Sequence, residues 1–146
     1  MAKTILVTGA NGLVGSAIRD LEEQYPQYSF VFSGHKEHDL TSEHDVKRLF
    51  EEVKPQYVIH TAYPAHGSYA YSKRMVDVQI EAYKAQHNVN FCSVIPGNIF
   101  GENDNFNLED GHVVPSLVHK VFVAKRDGGS LTVWGDGTPQ REFLYA

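Results

Sequence analysis

An α/β fold with a doubly wound parallel sheet is expected for this chain, on three observations. Short apolar runs alternate with stretches of helical character from one end to the other, the pattern of strand and crossover helix that builds a parallel sheet. The first run, residues 4–8, is β-branched and apolar on both faces, as a strand covered on both sides of a sheet must be. Three glycines at regular spacing follow that run directly.

The elements can be taken in order. After the first strand, helix signals run from Leu13 to about Glu23, and residues 30–32 form a second short strand. Asp39 opens a turn, and Thr41 or Ser42 can cap a helix carrying Val46, Leu49, Phe50 and Val53. Pro55 ends that helix and residues 57–60 make a third strand. A long helix follows from about residue 68 to 87, with Met75, Val78 and Ala82 as its expected buried stripe. Residues 91–95 read as a fourth strand, residues 115–125 as a helix and residues 131–134 as a further strand, separated by turns at Pro96-Gly97 and Asn103-Asp104-Asn105. Neither repeats nor a linker interrupt the series.

Composition bounds the function. The chain has 146 residues, 42% hydrophobic and 21% charged, enough for one domain with a core. A formal charge of −5 argues against a nucleic-acid surface, which needs clustered Lys and Arg. Cys92 is the one cysteine, so no disulfide framework exists, and a reducing compartment is expected. Cys92 itself reads as a buried apolar residue in mid-strand. The N-terminal residues run straight into a strand with no signal peptide or apolar span, which makes the cytoplasm the default location. His35, His38 and His44 have no Cys or carboxylate array to complete a metal site.

Gly9, Gly12 and Gly15 form Gly-x-x-Gly-x-x-Gly between the first strand and the first helix. The three play different parts, with a tight turn at Gly9, close approach of backbone to a pyrophosphate at Gly12, and close helix–sheet packing at Gly15. The helix start at Asn11, Leu13 and Val14 offers free N–H groups and partial positive charge to phosphates. This is the context of a Rossmann-like dinucleotide-binding unit. An acidic residue after the second strand would bond the ribose 2′-OH of NAD. Here His35 and Lys36 stand in that place and suit the 2′-phosphate of NADP, although Glu37 and Asp39 lie close.

Tyr69 and Lys73 are four residues apart, on one face of the long helix. An ammonium beside a phenol favours the phenolate, and such a tyrosine can exchange a proton with a carbonyl while hydride moves. Tyr71 is a rival, but no Lys lies four residues beyond it.

Taken together, these motifs resemble the short-chain dehydrogenase superfamily in its extended, nucleotide-sugar branch, whose third conserved strand is similar to residues 57–62. The most specific likeness lies in residues 89–145: Pro96-Gly97-Asn98-Ile99-Phe100-Gly101, Asp104-Asn105-Phe106, Gly111-His112-Val113-Val114-Pro115, and Trp134-Gly135 followed by Gly137, Pro139, Arg141 and Phe143. That series resembles the GDP-L-fucose synthases, which epimerise GDP-4-keto-6-deoxy-D-mannose at two carbons beside the ketone and then reduce the ketone with NADPH. The resemblance implies Tyr69 as proton donor, Lys73 as its partner and a ribose ligand, and His112 as general acid of epimerisation beside the nicotinamide. It also implies Ala62 and residues 96–99 along the cofactor, and Lys120, Trp134 and Arg141 on the GDP-sugar. Alone, His112 would more often be a surface histidine and Trp134 a core or rim residue.

The resemblance implies residues 1–101 as the dinucleotide-binding domain and 102–146 as the start of a substrate-binding region. It also implies a homodimer. Between Ala62 and Tyr63 the family carries on the order of sixty further residues, two strand–helix units, with the serine that joins Tyr and Lys and the cysteine proposed as base. The family also continues beyond Ala146. With the central strand lost, the 57–60 and 91–95 strands are expected to close up and pair. Two other readings stay open: a catalytically dead nucleotide-binding module, and another nucleotide-sugar epimerase or reductase.

Overall fold

The computed structural model describes residues 2–62 and 69–146, the side chains of residues 69–72 excepted. Two compact units emerge, Met1–Ala62 with Asn98–Ala146, and Tyr63–Gly97.

In the first unit, β1 (Lys3–Thr8) leads through α1 (Leu13–Asp20) and a short 3-10 turn (Glu22–Gln24) to β2 (Tyr28–Ser33). Then come α2 (Glu43–Val53) and β3 (Tyr57–His60). The three strands form a parallel sheet in the order β2-β1-β3. Thr8 at the carboxyl end of β1 aligns with Ser33 of β2 and His60 of β3. Central position explains burial: Leu6 and Val7 are fully covered, joined by Ile5, Ala10 and Leu49 of α2. The chain leaves β1 to opposite sides, and such a reversal opens a crevice at the carboxyl edge of the sheet.

The helix boundaries follow local chemistry. Ser42 caps α2, its hydroxyl accepting the Asp45 N–H at 3.3 Å, as residue type and position predicted. Lys54, left-handed at φ 46°, closes α2 by donating its N–H to the Phe50 carbonyl at 2.9 Å, so the helix stops before Pro55. The first helix ends sooner than expected, at Asp20, and tightens into the 3-10 turn.

The remainder of this unit holds β4 (Asn98–Phe100), α4 (Val113–Asp127) and β5 (Phe143–Tyr145), with β4 and β5 paired in parallel. The strand expected at 131–134 does not form. Its residues lie in a connection where Gly128, Gly135 and Gly137 all take positive φ, and the strand appears instead at β5. Asp136 locks this connection by accepting from both the N–H and hydroxyl of Thr138.

In the second unit, α3 (Tyr69–His87) is the one regular element among the described residues. Asn88, at φ 50°, caps its end with an N–H bond to the Lys84 carbonyl. Three expectations fail here. Met75, Val78 and Ala82 are exposed, because a helix buries a stripe only against a second layer, which this unit does not contain among the described residues. Residues 91–95 form no strand and pair with nothing among the described residues; Val94 and Ile95 are more than four-fifths exposed. A strand needs a ladder partner, and β3 takes its partner from β1 alone. Cys92 is exposed, since the strand that would have buried it is absent. Among the described residues no helix is long and apolar enough to cross a membrane.

Candidate functional site

The three glycines carry distinct constraints. Gly9 turns the chain at φ +72°, and a Cβ there would lie 2.5 Å from the Ala62 nitrogen and 2.7 Å from its Cα. The end of β3 presses on the turn, so Ala62 is part of the loop's frame. Thr61 clamps the same corner, donating its hydroxyl to the Thr8 carbonyl at 2.7 Å, while Thr8 Oγ1 lies 2.7 Å from His60 Nδ1. Gly15 packs against the turn, where a Cβ would meet the Gly9 carbonyl oxygen and come within 2.6 Å of Ala10 Cα. Gly12 differs. Its Cβ would meet only the Gly9 oxygen, at the ordinary distance of 3.4 Å. Packing therefore demands glycine at positions 9 and 15 and leaves the space over Gly12 open.

Gly12 is also the N-cap of α1 and has no side-chain capping bond. The N–H groups of the first helical turn, at Leu13, Val14 and Gly15, have no intrahelical acceptor, and they point from a helix start whose partial charge favours anions. Asn11 touches Gly34, whose added Cβ would strike the Asn11 amide. The loop is thereby joined to the turn after β2.

In that turn His35, Lys36 and Glu37 are exposed. Glu37 folds back, its Oε2 accepting the Gly34 N–H at 3.0 Å. Ser33 Oγ and His38 Nδ1 approach to 3.0 Å. The Thr41 N–H and hydroxyl both donate to Asp39 and hold its carboxyl below the usual carboxylate range. Both acids that blurred the cofactor assignment thus have partners within the turn, while Lys36 makes no ion pair among the described residues.

A second group of site residues surrounds α4. The loop before it, residues 101–112, is closed by its own backbone: Gly111 N–H to Asn107 O at 3.1 Å and His112 N–H to Asn105 O at 3.2 Å. Gly111 is required by crowding, because a Cβ there would meet the Asn107 carbonyl oxygen and lie 2.8 Å from that of Asn105. His112 is the N-cap residue of α4. Its Nδ1 lies 2.6 Å from Asp104 Oδ1, with the His112 side chain 69% exposed and that of Asp104 only 1%. Further along α4, the Lys120 ammonium sits over the Trp134 ring, 5.5 Å from its centroid. Trp134 is 88% exposed, an apolar face left to solvent. Arg141, whose Nη1 donates to the Gln140 carbonyl at 2.7 Å, lines an open cleft of about 660 Å³ with Val113, Pro139, Gln140 and Phe143, and Val113 is the residue next to His112.

The remaining candidates divide between units. The Asn98 amide donates to the Glu142 carbonyl at 2.9 Å and ties β4 to β5, with Ile99 half-buried beside it. Pro96 and Gly97 belong to the second unit and are exposed. Tyr69 and Lys73 lie in the first turns of α3, at the one-face spacing; the Tyr69 side chain falls outside the described residues. Sequence reasoning missed the clamp of Thr61 and the contact of Asp104 with His112. The first has no local signal, and the second was visible only as part of a motif.

Comparison with known proteins bears on both groups. Residues 3–97 match the model of the RmlD substrate binding domain. A GDP-L-fucose synthase from Dictyostelium discoideum is 29% identical over a match of 212 residues, which takes in 99% of this chain and 66% of the relative. The chain thus spans about two thirds of that relative's length, and the relative carries a stretch with no counterpart here. A GDP-L-fucose synthase from Sinorhizobium fredii is 43% identical over 84 residues, 57% of this chain and 27% of the relative. A crystal structure of a GDP-L-fucose synthetase from Naegleria fowleri bound to NADP superposes with a TM-score of 0.88 at 29% identity, covering 98% of this chain and 69% of that one. The model described as the NAD dependent epimerase/dehydratase family matches residues 63–146, more than half of the chain, and the chain belongs to that family.

Proposed function

We propose that the chain carries the NADP(H) and GDP-sugar sites of a GDP-L-fucose synthase-like protein. The observation that carries this reading is the open space over Gly12, framed by two glycines that packing requires, at the carboxyl edge of a parallel sheet. A pyrophosphate fits that cradle, against the first-turn N–H groups of α1. Lys36 and His35 meet the 2′-phosphate. NADPH, when bound, supplies the hydride for reduction of the 4-keto group.

The chain's own residues then take these roles. Tyr69, aided by Lys73, donates the proton to the carbonyl oxygen. His112 serves as the general acid of epimerisation, giving a proton at a carbon beside the ketone. Lys120 with Trp134 holds the GDP-sugar, and Arg141 offers its fork to the diphosphate. Support comes from the shared cleft of Arg141 and Val113 and from the Lys120–Trp134 contact. The likeness to curated GDP-L-fucose synthases supports the substrate class. Division at residue 101 into cofactor and substrate regions, and assembly as a homodimer in the cytoplasm, belong to the same reading.

A second reading, a binding module without turnover, is favoured by one observation. The match to the Dictyostelium protein is longer than this chain. We place the unmatched segment between Ala62 and Tyr63, where the epimerase-family match begins. That segment would carry the serine donor to the carbonyl, whose loss costs about 3 to 4 kcal/mol in comparable sites. Incubating the purified chain with NADPH and GDP-4-keto-6-deoxy-D-mannose, and following absorbance of the reduced cofactor, tests this. Slow or no oxidation is expected; turnover near that of a complete synthase contradicts the missing segment. Binding is separable: Arg141→Ala should weaken GDP binding about tenfold, as loss of a charge-assisted bond would, and an unchanged affinity removes Arg141 from the site.

A further inference from the structure

Asp104 is a carboxylate whose side chain is 1% exposed, in a loop exposed along most of its length. Its Oδ1 accepts the Asn105 N–H at 2.7 Å and lies 2.6 Å from His112 Nδ1. Its Oδ2 is buried and has no hydrogen-bond partner among the described residues. Buried acceptors in native folds are nearly always satisfied, and an orphan calls for a reason. An ionised carboxylate only accepts. A 2.6 Å contact with it therefore requires the proton to sit on Nδ1 of His112, in the neutral ring as well as in the cation.

We propose that Asp104 is the positioning residue of His112: it fixes the ring in the Nδ1-protonated tautomer and leaves Nε2 as the atom that takes and gives protons at the site. The loop is built to hold that pair. The Asp104 N–H bonds the Gly101 carbonyl at 3.3 Å, the Asn105 amide bonds the Asp110 carbonyl at 3.2 Å, and Asn105 O receives the His112 N–H. Gly111, crowded against the carbonyls of residues 105 and 107, brings the chain back so that residue 112 faces residue 104. His119 anchors the loop from α4, its Nδ1 2.7 Å from the Phe106 carbonyl. A backbone carbonyl also only accepts, so His119 is locked in the same tautomer and serves as an internal standard. The catalytic consequence rests on the role given to His112 above; the tautomer does not.

The test is nitrogen NMR on the full chain labelled with ¹⁵N-histidine, at a pH where the imidazoles are neutral. His112 should show Nδ1 protonated and Nε2 bare, like His119 and unlike free imidazole side chains in water, which prefer the reverse. Asp104→Ala removes the acceptor and should shift His112 toward the Nε2-protonated form of a free side chain, while the His119 signals stay in place. A wild-type His112 in the Nε2-protonated form, or in the mixture of a free side chain, overturns the proposal. So does an Asp104→Ala protein with an unmoved His112 and an intact His119. If that variant fails to fold, the wild-type tautomer alone decides. Deuterium exchange into the keto-sugar at the carbons beside the ketone reads the other claim. Exchange that persists undiminished in His112→Ala, with the tautomer as expected, counts against His112 as the proton carrier and leaves the Asp104 assignment standing.

Discussion

The loop after β1 and the loop before α4 both press a glycine against backbone carbonyls, yet they hold their site residues by different forces. The first lies at the end of the most buried strand of the protein, where Leu6 and Val7 are covered on both faces and β3 closes on the turn through Thr61 and Ala62. Its partners are some fifty residues distant in sequence. The second is exposed along most of its length and is closed by bonds between neighbours, Asn105 with Asn107 and Asp110, His112 with Asp104 and Asn105. The lesson is that the glycine cradle is a product of the whole sheet, and the Asp104–His112 pair a product of one short loop, residues 101–112. Damage to the first should be global, and damage to the second local.

Substitutions can break this contrast. The largest effect is expected at Gly9→Ala, where a left-handed φ and a clash with the Ala62 backbone coincide. Together these cost about 3 kcal/mol, read as a lower midpoint in urea unfolding; an unchanged midpoint would show that the turn is looser than the sheet implies. Gly111→Ala should cost about 2 kcal/mol from overpacking, with the loss confined to residues 101–112 in hydrogen exchange. Spread of that loss into β1 would erase the distinction between the two loops. Gly12→Ala should leave the unfolding midpoint within about 1 kcal/mol of the parent, because the added carbon touches only the Gly9 oxygen at an ordinary distance. The same change should lower NADPH affinity about tenfold or more by filling the pyrophosphate's space.

The smallest effect concerns Asp39. The Thr41 N–H and hydroxyl depress its folded-state pKa. A depressed carboxyl contributes stability that is present above its unfolded pKa and is lost as pH falls through the folded one. Thr41→Val removes the hydroxyl bond and keeps the N–H, so the Asp39 titration, followed by carboxyl ¹³C shifts, should move part of the way up toward the ordinary value. No movement would mean that the hydroxyl contributes nothing.

The same contrast explains how much was legible in the sequence. β1, its glycine triplet, the Ser42 cap and β3 are all readable because each is specified locally: β-branched runs, glycine spacing and a capping residue act within a few positions. Residues 91–95 and 131–134 have strand-like composition but no ladder to join, and composition carries no information about a missing neighbour. The stripe of Met75, Val78 and Ala82 misled for the same reason, since amphipathic spacing anticipates a second layer that the Tyr63–Gly97 unit lacks among the described residues. Gly34 and Glu37 show the reverse case. A glutamate after the second strand suggests a ribose ligand, until its bond to the Gly34 N–H is seen. Asp104 was legible only as one letter of a motif, because its burial depends on the closure of the loop around it.

The central claim is that the cradle between Gly9 and Gly15 takes a dinucleotide phosphorylated at the adenosine ribose. Fluorescence titration of the full chain with NADPH and with NADH tests it most directly, with Lys36→Ala run beside the parent. Lys36 and His35 lie exposed in the turn after β2, while Glu37 and Asp39 have partners of their own. The expected result is tighter binding of NADPH, with the preference cut about tenfold in Lys36→Ala by loss of one charge-assisted phosphate contact. Equal affinities, a preference for NADH, or a preference unmoved by Lys36→Ala would contradict the claim.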